Sequence, residues 1–356
     1  MLFYSTPILT SFVRKDIAIL EKEHTLQVFH FDTSKKWKTP LLFLQQLWQI
    51  VRNWRKIEVF VCKFVGYSAF LPALLGKISG KPCLLVTAGT ESAYLPSIQY
   101  GDFRKPILGK FTEWSLRLAT HIAPVHYSLM RCNYTYNKEK FPQQGVQFFC
   151  KNLKTPFTYI PYGFDAQKFR DFGKKRQPNS FLTIAAGFEQ EVVFLRKGLD
   201  LIWKMAARFP DFQFTVVGYK AGLFHKETPK NITIIAAIPQ EKLIELLNEH
   251  EFYAQISMFE GFPNALCEAM LCGCIPIGSS VAAIPDIISD TGFILAEKNA
   301  DKLADLLKEA AQAEKTLLSQ KARQRIVDNF LTERREKALL GLVAQLKLEF
   351  HADLRR

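Results

Sequence analysis

Two glutamates in one short segment have the types and spacing that could do chemistry. Glu260 and Glu268 have seven residues between them, in the run EGFPNALCEAM that follows a buried, strand-like stretch. Asn264 is predicted to cap a helix from Ala265 to Leu271. A helix start offers free backbone N–H groups and the positive end of the helix dipole, so it can bind a diphosphate. A glutamate one turn into the helix can accept hydrogen bonds from ribose hydroxyls, and one in the turn can reach a sugar.

A basic pair is the second candidate. The run Arg196-Lys197-Gly198 is predicted to open the helix Leu199–Phe209. Positive charge is what a diphosphate leaving group needs as it gains charge. A solvated helix start is the alternative, because lysine and arginine are usually exposed. Beside the glutamate segment, we favour the phosphate-binding interpretation.

The glutamate segment, followed by GCIPI, resembles that of the retaining GT-B-fold glycosyltransferases, the glycosyl transferases group 1 or family 4 type. This resemblance implies that Glu260 lies near the donor sugar and that Glu268 binds the donor ribose. It implies that Lys197, helped by Arg196, meets the donor phosphates, so Glu260 and Lys197 are the expected catalytic residues. The remaining donor-binding residues that it implies are Gly261, Phe262, Asn264, Ala265 and Leu266. It also implies retention of configuration, with no metal and no cofactor besides the nucleotide-sugar donor.

A third motif, Ile160–Asp165, is similar to the turn that joins the two domains in that family. Tyr162 stands where the family has asparagine. The family usually carries an arginine after the glycine that ends the first strand of the second domain. Here Phe188 follows Gly187, and Arg196 is the candidate substitute.

The first half offers weaker candidates for the acceptor side. Glu91 and Thr90 follow a predicted strand; Glu91 could orient the acceptor, act as a general base, or be a surface loop carboxylate. His126 could touch donor or acceptor, but a partly buried structural histidine is the favoured interpretation. Asp102 and Arg104 are interpreted as a solvated loop.

Short β-rich runs alternate with helical patterns throughout the chain, which is typical of parallel sheets covered by helices. The predicted strands of the first half are Leu2–Ser5, Leu26–Phe31, Val59–Cys62, Cys83–Thr87, Ile122–Val125 and Thr158–Ile160. Those of the second half are Phe181–Ala185, Phe212–Val217, Ile232–Ala236, Phe252–Ile256, Ile275–Ile277 and Phe293–Leu295. The expected fold class is therefore α/β, with two doubly wound Rossmann-like domains that face a cleft. Ligands of such sheets bind beyond the carboxyl ends of the strands.

The polar run GKKRQPN indicates a linker between the halves. We therefore expect an acceptor-binding domain over 1–172 and a nucleotide-sugar-binding domain over 173–330. A helical tail over 331–356 would follow and could cross back to the first domain.

The charge is unevenly distributed. Residues 1–178 hold 26 basic and 11 acidic side chains, a net charge of +15, whereas the remainder carries −2, out of +13 in total. The first half therefore suits an anionic membrane surface or a phosphate-bearing acceptor. Nucleic acid is not expected, because no recognition motif for it is present.

The stretch from Lys35 to Lys56 is basic and aromatic. Its helical pattern has one apolar face, formed by Leu44, Leu47, Trp48, Val51 and Trp54. We interpret this face as packed on the first sheet; contact with an anionic membrane is the alternative.

Several common signatures are missing. No glycine pair is spaced G-x-G and no aspartate pair D-x-D, so neither a dinucleotide fingerprint nor that metal–diphosphate element is expected. No histidine or cysteine pair has zinc-site spacing, and the seven cysteines are interpreted as reduced and mostly buried. Neither a membrane span nor a signal peptide is predicted. The expected location is cytoplasmic, with a peripheral position on the inner membrane face as a further possibility.

The expected function is transfer of a hexose-type sugar from a nucleotide-diphosphate-sugar to a glycan or lipid-linked acceptor, in polysaccharide or glycoconjugate synthesis. One alternative is a nucleotide-sugar epimerase on the same fold. The other is a degenerate, non-catalytic scaffold.

Overall fold

The first half of the chain folds around a five-stranded parallel sheet. The computed structural model describes residues 1–220 and 226–353. The strands are β1 Leu2–Thr6, β2 Leu26–His30, β3 Val59–Lys63, β4 Cys83–Thr87 and β5 His121–Pro124. Their order in the sheet is β2-β1-β3-β4-β5. The strands β1, β3 and β4 are buried along their whole length because helices cover both faces of the sheet. The helices are α1 Ser11–Glu21, α2 Thr39–Arg52, α3 Tyr67–Ser79 and α4 Pro106–Leu118.

A short antiparallel pair and one helical turn precede the second half. They are β6 Cys132–Asn133, β7 Gln143–Gln144 and α5 Val146–Phe149.

The second half contains a six-stranded parallel sheet. Its strands are β8 Gln177–Ile184, β9 Gln213–Tyr219, β10 Ile232–Ala236, β11 His250–Gln255, β12 Ile275–Ser279 and β13 Phe293–Leu295. Their order in the sheet is β10-β9-β8-β11-β12-β13. Its helices are α6 Glu191–Arg196, α7 Leu199–Arg208, α8 Gln240–Glu249, α9 Asn264–Leu271, α10 Ile284–Ile288, α11 Ala300–Gln312 and α12 Lys315–Asn329. The last helix is α13 Thr332–Asp353. The predicted fold class, two doubly wound α/β sheets, is confirmed.

One predicted strand is wrong. Thr158–Ile160 lies beside β5, where the Thr158 amide donates to the Ile122 carbonyl and the Ile160 amide to the Pro124 carbonyl, both at 3.0 Å. The segment does not continue as a strand. It is bounded by Pro156 and Pro161, whose nitrogens have no hydrogen to donate to a ladder.

The packing of α2 also differs from the favoured interpretation. Its buried residues are Gln46 and Ile50, and the amide of Gln46 donates to the Ser5 hydroxyl and the Ser68 carbonyl, both at 2.9 Å. Because this hydrogen-bonded glutamine faces the sheet, most of the predicted apolar face points outward. Its exposed residues are Leu44, Leu47, Trp48 and Val51, whereas Trp54 packs inward.

The C-terminal helix returns to the first sheet. The Phe164 amide donates to the Phe330 carbonyl at 2.9 Å, and the Thr332 amide to the Phe164 carbonyl at 3.1 Å. This pairing turns the chain so that α13 packs against α1 and β3.

A buried ion cluster fixes that helix. The Asp16 carboxylate accepts two hydrogen bonds from Arg335, at 2.7 and 2.8 Å, and one from Lys63 at 2.8 Å. All three side chains are almost fully buried. Burial alone would raise the pKa of Asp16, but Arg335 and Lys63 outweigh it and hold the pKa at about 2. The Tyr162 ring lies 4.4 Å from the Lys63 ammonium and 4.7 Å from the Arg335 guanidinium.

Asp16→Asn is expected to lower the free energy of unfolding by about 3–5 kcal/mol, because it leaves two buried cations without their counter-charge. Urea unfolding measures this loss. Lys22→Gln is the matched control, since Lys22 pairs with Glu336 at 2.6 Å and joins α1 to α13 at the surface. That variant should lose less than about 1 kcal/mol. Equal losses in both variants would contradict a special role for the buried cluster.

Candidate functional site

The central turn of the site follows β11 and is held from two sides. The Met258 amide donates to the Arg196 carbonyl at 2.7 Å, and the Met258 carbonyl accepts from the Tyr134 hydroxyl at 2.7 Å. Arg196 ends α6 in the second half, whereas Tyr134 belongs to the first half. The turn therefore lies at the carboxyl edge of the second sheet, where the two halves meet.

Glu260, in this turn, is the centre of a charged cluster. Its Oε1 lies 2.5 Å from the Lys197 ammonium and 3.8 Å from the Arg196 guanidinium. The same oxygen accepts from the Ser257 hydroxyl at 3.0 Å and from the Gln255 amide at 3.3 Å. Among the described residues, Oε2 has no hydrogen-bond partner, so one oxygen is fixed and the other can accept from a ligand.

The cluster keeps both of its principal charges. Burial would raise the pKa of Glu260, but Lys197 and Arg196 lower it below its usual value. Burial lowers the pKa of Lys197, and Glu260 opposes that effect. The Arg196 guanidinium also lies 5.1 Å from the ring centre of Tyr100, which stacks it against the first half.

The run Arg196-Lys197-Gly198 directly precedes α7, as predicted, and it also follows a short helix, α6. Arg196 ends α6, a helix that the sequence patterns did not predict, and α7 begins after Gly198. Gly198 has φ of +71°, and a Cβ there would lie 1.9 Å from the Ile256 carbonyl oxygen. Glycine is therefore required for α6 to end directly against the end of β11.

Asn264 does not cap α9 as predicted. The cap position belongs to Pro263, in an extended conformation, and Asn264 is the first helical residue. Its Oδ1 is buried and has no hydrogen-bond partner among the described residues. Around it lie the predicted donor-binding positions Gly261, Phe262, Ala265 and Leu266. The Leu266 and Phe262 side chains are buried, so only their backbone groups could meet a ligand.

Glu268 lies one turn into α9 and is partly buried. Burial raises its pKa to about 7, and Lys15 and Lys168 reduce that rise. Lys15 belongs to α1, so the first half contributes positive charge to this carboxyl group. Near neutral pH a modest change in surroundings is enough to ionise it.

The loop after β4 touches the Glu260 turn backbone to backbone. A Cβ on Gly261 would lie 1.7 Å from the Ala88 carbonyl oxygen, and one on Gly89 would lie 3.2 Å from the Gly261 nitrogen. Glu91 holds this loop, because its carboxylate accepts from the Ala88 amide at 2.5 Å and the Gly89 amide at 3.2 Å. Glu91 is 1% exposed, so the interpretation as a surface carboxylate is wrong. The neighbouring Thr90 hydroxyl lies 3.1 Å from the Tyr100 hydroxyl.

His126 links the two halves at a second place. Its Nδ1 lies 2.7 Å from the Ser128 hydroxyl and its Nε2 lies 2.8 Å from the Asp286 carboxylate. The Tyr127 hydroxyl donates to the same carboxylate at 2.5 Å. Burial lowers the pKa of His126, and Asp286 opposes that effect. Both ring nitrogens are engaged, which matches the favoured interpretation of a structural histidine.

Asp102 and Arg104 are also placed differently from the solvated loop that was expected. Both are partly buried and line a cavity beside Glu91.

Of the site residues, the sequence patterns missed Gln255 and Ser257, which fix Glu260. Gln255 ends β11 and Ser257 follows two residues later. Polar side chains at the end of a buried strand are a sequence feature from which site residues could have been predicted.

Within 1–220 and 226–353, no three histidine, cysteine or acidic side chains form a group that could hold a metal ion.

Comparison with known families gives a match over the second half. Residues 169–329 match the family described as Glycosyl transferases group 1. The GPI3 subunit of phosphatidylinositol N-acetylglucosaminyltransferase from Saccharomyces cerevisiae is 24% identical over 132 residues, 34% of this chain and 29% of that protein. The amylovoran biosynthesis glycosyltransferase AmsK from Erwinia amylovora is 27% identical over 118 residues, 29% of each chain. The chain thus spans less than a third of the length of these curated relatives.

The whole chain has the GT-B fold. HepE from Anabaena, solved in complex with UDP and glucose, aligns with a TM-score of 0.66 at 12% identity. The alignment covers 96% of this chain and 98% of HepE. Both sheets and α13 therefore follow one known arrangement, and residues 169–329 of the second half match the group 1 glycosyltransferase family.

Gly198→Ala is expected to lower the free energy of unfolding by about 2 kcal/mol or more, because the new methyl group would collide with the Ile256 carbonyl at a positive φ. Chemical unfolding measures this. Gly341→Ala is the matched control: it lies in α13 with nothing within 4 Å of its added Cβ. That change should stabilise the protein by up to about 1 kcal/mol. A neutral Gly198→Ala variant would contradict the close approach.

Proposed function

We propose that this chain, whose second half matches the group 1 glycosyltransferase family, transfers a hexose-type sugar from a nucleoside-diphosphate-sugar to an acceptor bound on the first half. The observation that carries the proposal is the Lys197–Glu260 pair, which adjoins the start of α9. It combines a cation for phosphate, a carboxylate oxygen free for a sugar hydroxyl, and unpaired helix-start amides in one place.

Each part of a nucleotide-sugar has a counterpart in this arrangement. The start of α9 and the Lys197 ammonium are suited to the diphosphate, and Glu268 is suited to the ribose hydroxyls. Oε2 of Glu260 is suited to a hydroxyl of the sugar. As the bond from sugar to diphosphate breaks, negative charge grows on the phosphate oxygens, and Lys197 with Arg196 would stabilise it.

The comparisons suggest the donor and the context. HepE binds UDP and glucose, so a UDP-hexose is the first donor to test. AmsK is named as a glycosyltransferase of amylovoran biosynthesis, which supports a role in polysaccharide or glycoconjugate synthesis. Retention of anomeric configuration and independence from metal ions belong to the same proposal.

A thermal-shift panel of nucleoside diphosphates and their sugars tests the donor site. One base should raise the melting temperature by about 4 °C at a hundred times its dissociation constant. Glu268→Gln should lose most of that shift, because it removes the charged acceptor for the ribose. Glu241→Gln, an exposed carboxylate on α8, is the control and should keep it.

The pH dependence sharpens this test. The pKa of Glu268 is raised to about 7, so its charged form, the better acceptor, appears above that pH. Affinity for the nucleotide-sugar should therefore rise between pH 6 and pH 8 in the wild type and stay flat in Glu268→Gln. No shift with any nucleotide would favour a non-catalytic scaffold, and turnover of donor to an epimer without acceptor would favour an epimerase.

We further propose that the outer face of α2 contacts an anionic membrane surface, at the cytoplasmic side. Trp37 is 75% exposed, Leu44 64% and Val51 62%, although all are large apolar residues. Exposed basic residues flank them at Lys35, Arg52, Arg55 and Lys56. A basic, aromatic, amphipathic helix of this kind is suited to the interface of a bilayer with anionic lipids. Among the described residues, no helix is both long and apolar enough to span a membrane.

Vesicle flotation tests this contact. The full chain should float with vesicles that contain phosphatidylglycerol and not with pure phosphatidylcholine. Neutralising Lys35, Arg55 and Lys56 to glutamine should reduce the bound fraction about a hundred-fold, at about 1 kcal/mol per charge. The control neutralises three exposed lysines of the second half, Lys242, Lys302 and Lys308. Equal loss in both triple variants, or no flotation of the wild type, would contradict the proposal.

A further inference from the structure

The first half contains a cavity of about 920 Å³ with a largely apolar lining. It lies beyond the carboxyl ends of three parallel strands. Ile8 follows β1, Phe64 and Val65 follow β3, and Glu91 follows β4. This is the edge of the sheet at which α/β folds bind their ligands. None of the donor-binding residues of the second half lines it.

The cavity lies beside the donor site, on the other side of the Gly89 loop. Glu91 and Thr90 line its inner end, and the carboxylate of Glu91 holds the amide of Gly89. Gly89 in turn lies against Gly261, next to Glu260. A molecule that fills the cavity therefore ends close to the turn that we assign to the donor sugar.

The cavity lining carries two basic side chains, Arg104 and Lys105, beside two acidic ones, Glu91 and Asp102. The Nε of Arg104 and the hydroxyl of Ser68 are buried without a hydrogen-bond partner in the described part of the chain. Lys105 follows directly in the lining. Asp102 is the acidic neighbour; burial, and then the charge of Glu91, raises its pKa to about 7. The unpaired Arg104 Nε and Ser68 hydroxyl, together with the Lys105 ammonium, lie beside a large apolar volume. Such donors suit a phosphate attached to a hydrocarbon chain.

The surroundings favour the same occupant. The inner side of α2 lines the cavity through Thr39, Pro40 and Phe43. The outer side of that helix carries the exposed residues Leu44 and Trp48. If α2 lies on a membrane, the cavity opens beside the lipids, and a lipid acceptor could enter it without crossing water.

We infer that this cavity is the acceptor site and that the acceptor is an amphiphile, with an apolar chain in the cavity and a phosphate on Arg104 and Lys105. The inference rests on the proposed glycosyl transfer and narrows its acceptor to a phospholipid-type or prenyl-phosphate-type molecule. A purely polar glycan acceptor would leave the apolar lining without a partner.

Octyl phosphate, used below its micelle concentration, is the probe, and calorimetric titration of the full chain measures its binding. Arg104→Gln and Lys105→Gln should each weaken binding about ten-fold, the loss expected for one charge-assisted hydrogen bond. Lys110→Gln removes the same charge from exposed α4 outside the cavity and should change binding less than two-fold. Ile8→Trp fills the cavity from a half-exposed position and should weaken binding by a similar factor. Ile78→Trp, on the exposed side of α3, should not.

Two comparison ligands, and a separate measurement of nucleotide-sugar binding, test the inference. Inorganic phosphate or neutral octyl glucoside binding as tightly as octyl phosphate would overturn the inference, since it needs both the chain and the charge. Equal effects of Ile8→Trp and Ile78→Trp would indicate surface adsorption and overturn it as well. Nucleotide-sugar binding is measured on the same variants and should be unchanged. Wild-type protein that binds the nucleotide-sugar but not octyl phosphate would remove this inference alone, whereas loss of nucleotide binding would remove the proposed function itself.

Discussion

The arrangement of the two halves depends on one buried carboxylate. Asp16 sits in α1 and binds Arg335 from the C-terminal helix and Lys63 from the end of β3. Arg335 also donates to the carbonyls of Ile160 and Pro161, where the chain leaves the first half. One charge therefore joins the segment that leaves the first sheet to the helix that returns to it. Burying three charges is costly, and removing one partner from such a cluster costs more, because it leaves a buried charge uncompensated.

That geometry brings two backbones into contact at the site. Gly261 and the carbonyl of Ala88 approach so closely that no side chain fits between them. Glu91 holds the Ala88 loop by accepting from the Ala88 and Gly89 amides, and so supports the donor turn through the same contact. The Tyr162 ring, which lies against Lys63 and Arg335, is 6.0 Å from the ring of Phe262, next to Gly261. The buried cluster and the donor turn are thus connected through side chains as well.

Much of this could be predicted from the sequence, for reasons that the structure makes plain. Strands buried on both faces are continuous apolar runs, so eleven of the twelve predicted strands overlap observed ones. Thr158–Ile160 has the composition of a strand, but the prolines on both sides stop the ladder. The helix α6 was missed because only six residues form it, and its end depends on Gly198 meeting a strand that is distant in sequence. The packing of α2 was misjudged because a glutamine, Gln46, takes the buried position that hydrophobicity alone assigns to leucine.

The residues of the donor site can be predicted from the sequence more completely than those of the acceptor cavity, and the reason is physical. A diphosphate is recognised by a helix start and a few charges. These lie in two short segments, one from Glu260 to Glu268 and one at Arg196 and Lys197, and each leaves a local pattern in the sequence. The cavity on the first half is assembled from the ends of three strands and from three helices, so no short segment carries its signature. Asp102 and Arg104 have the sequence of an ordinary polar turn, but the fold brings them to the lining of the same cavity as Phe43 and Phe64. A site that binds one constant chemical group, such as a diphosphate, can be specified by short segments of the sequence. A cavity that selects one acceptor among many depends on residues from the whole first half of the chain.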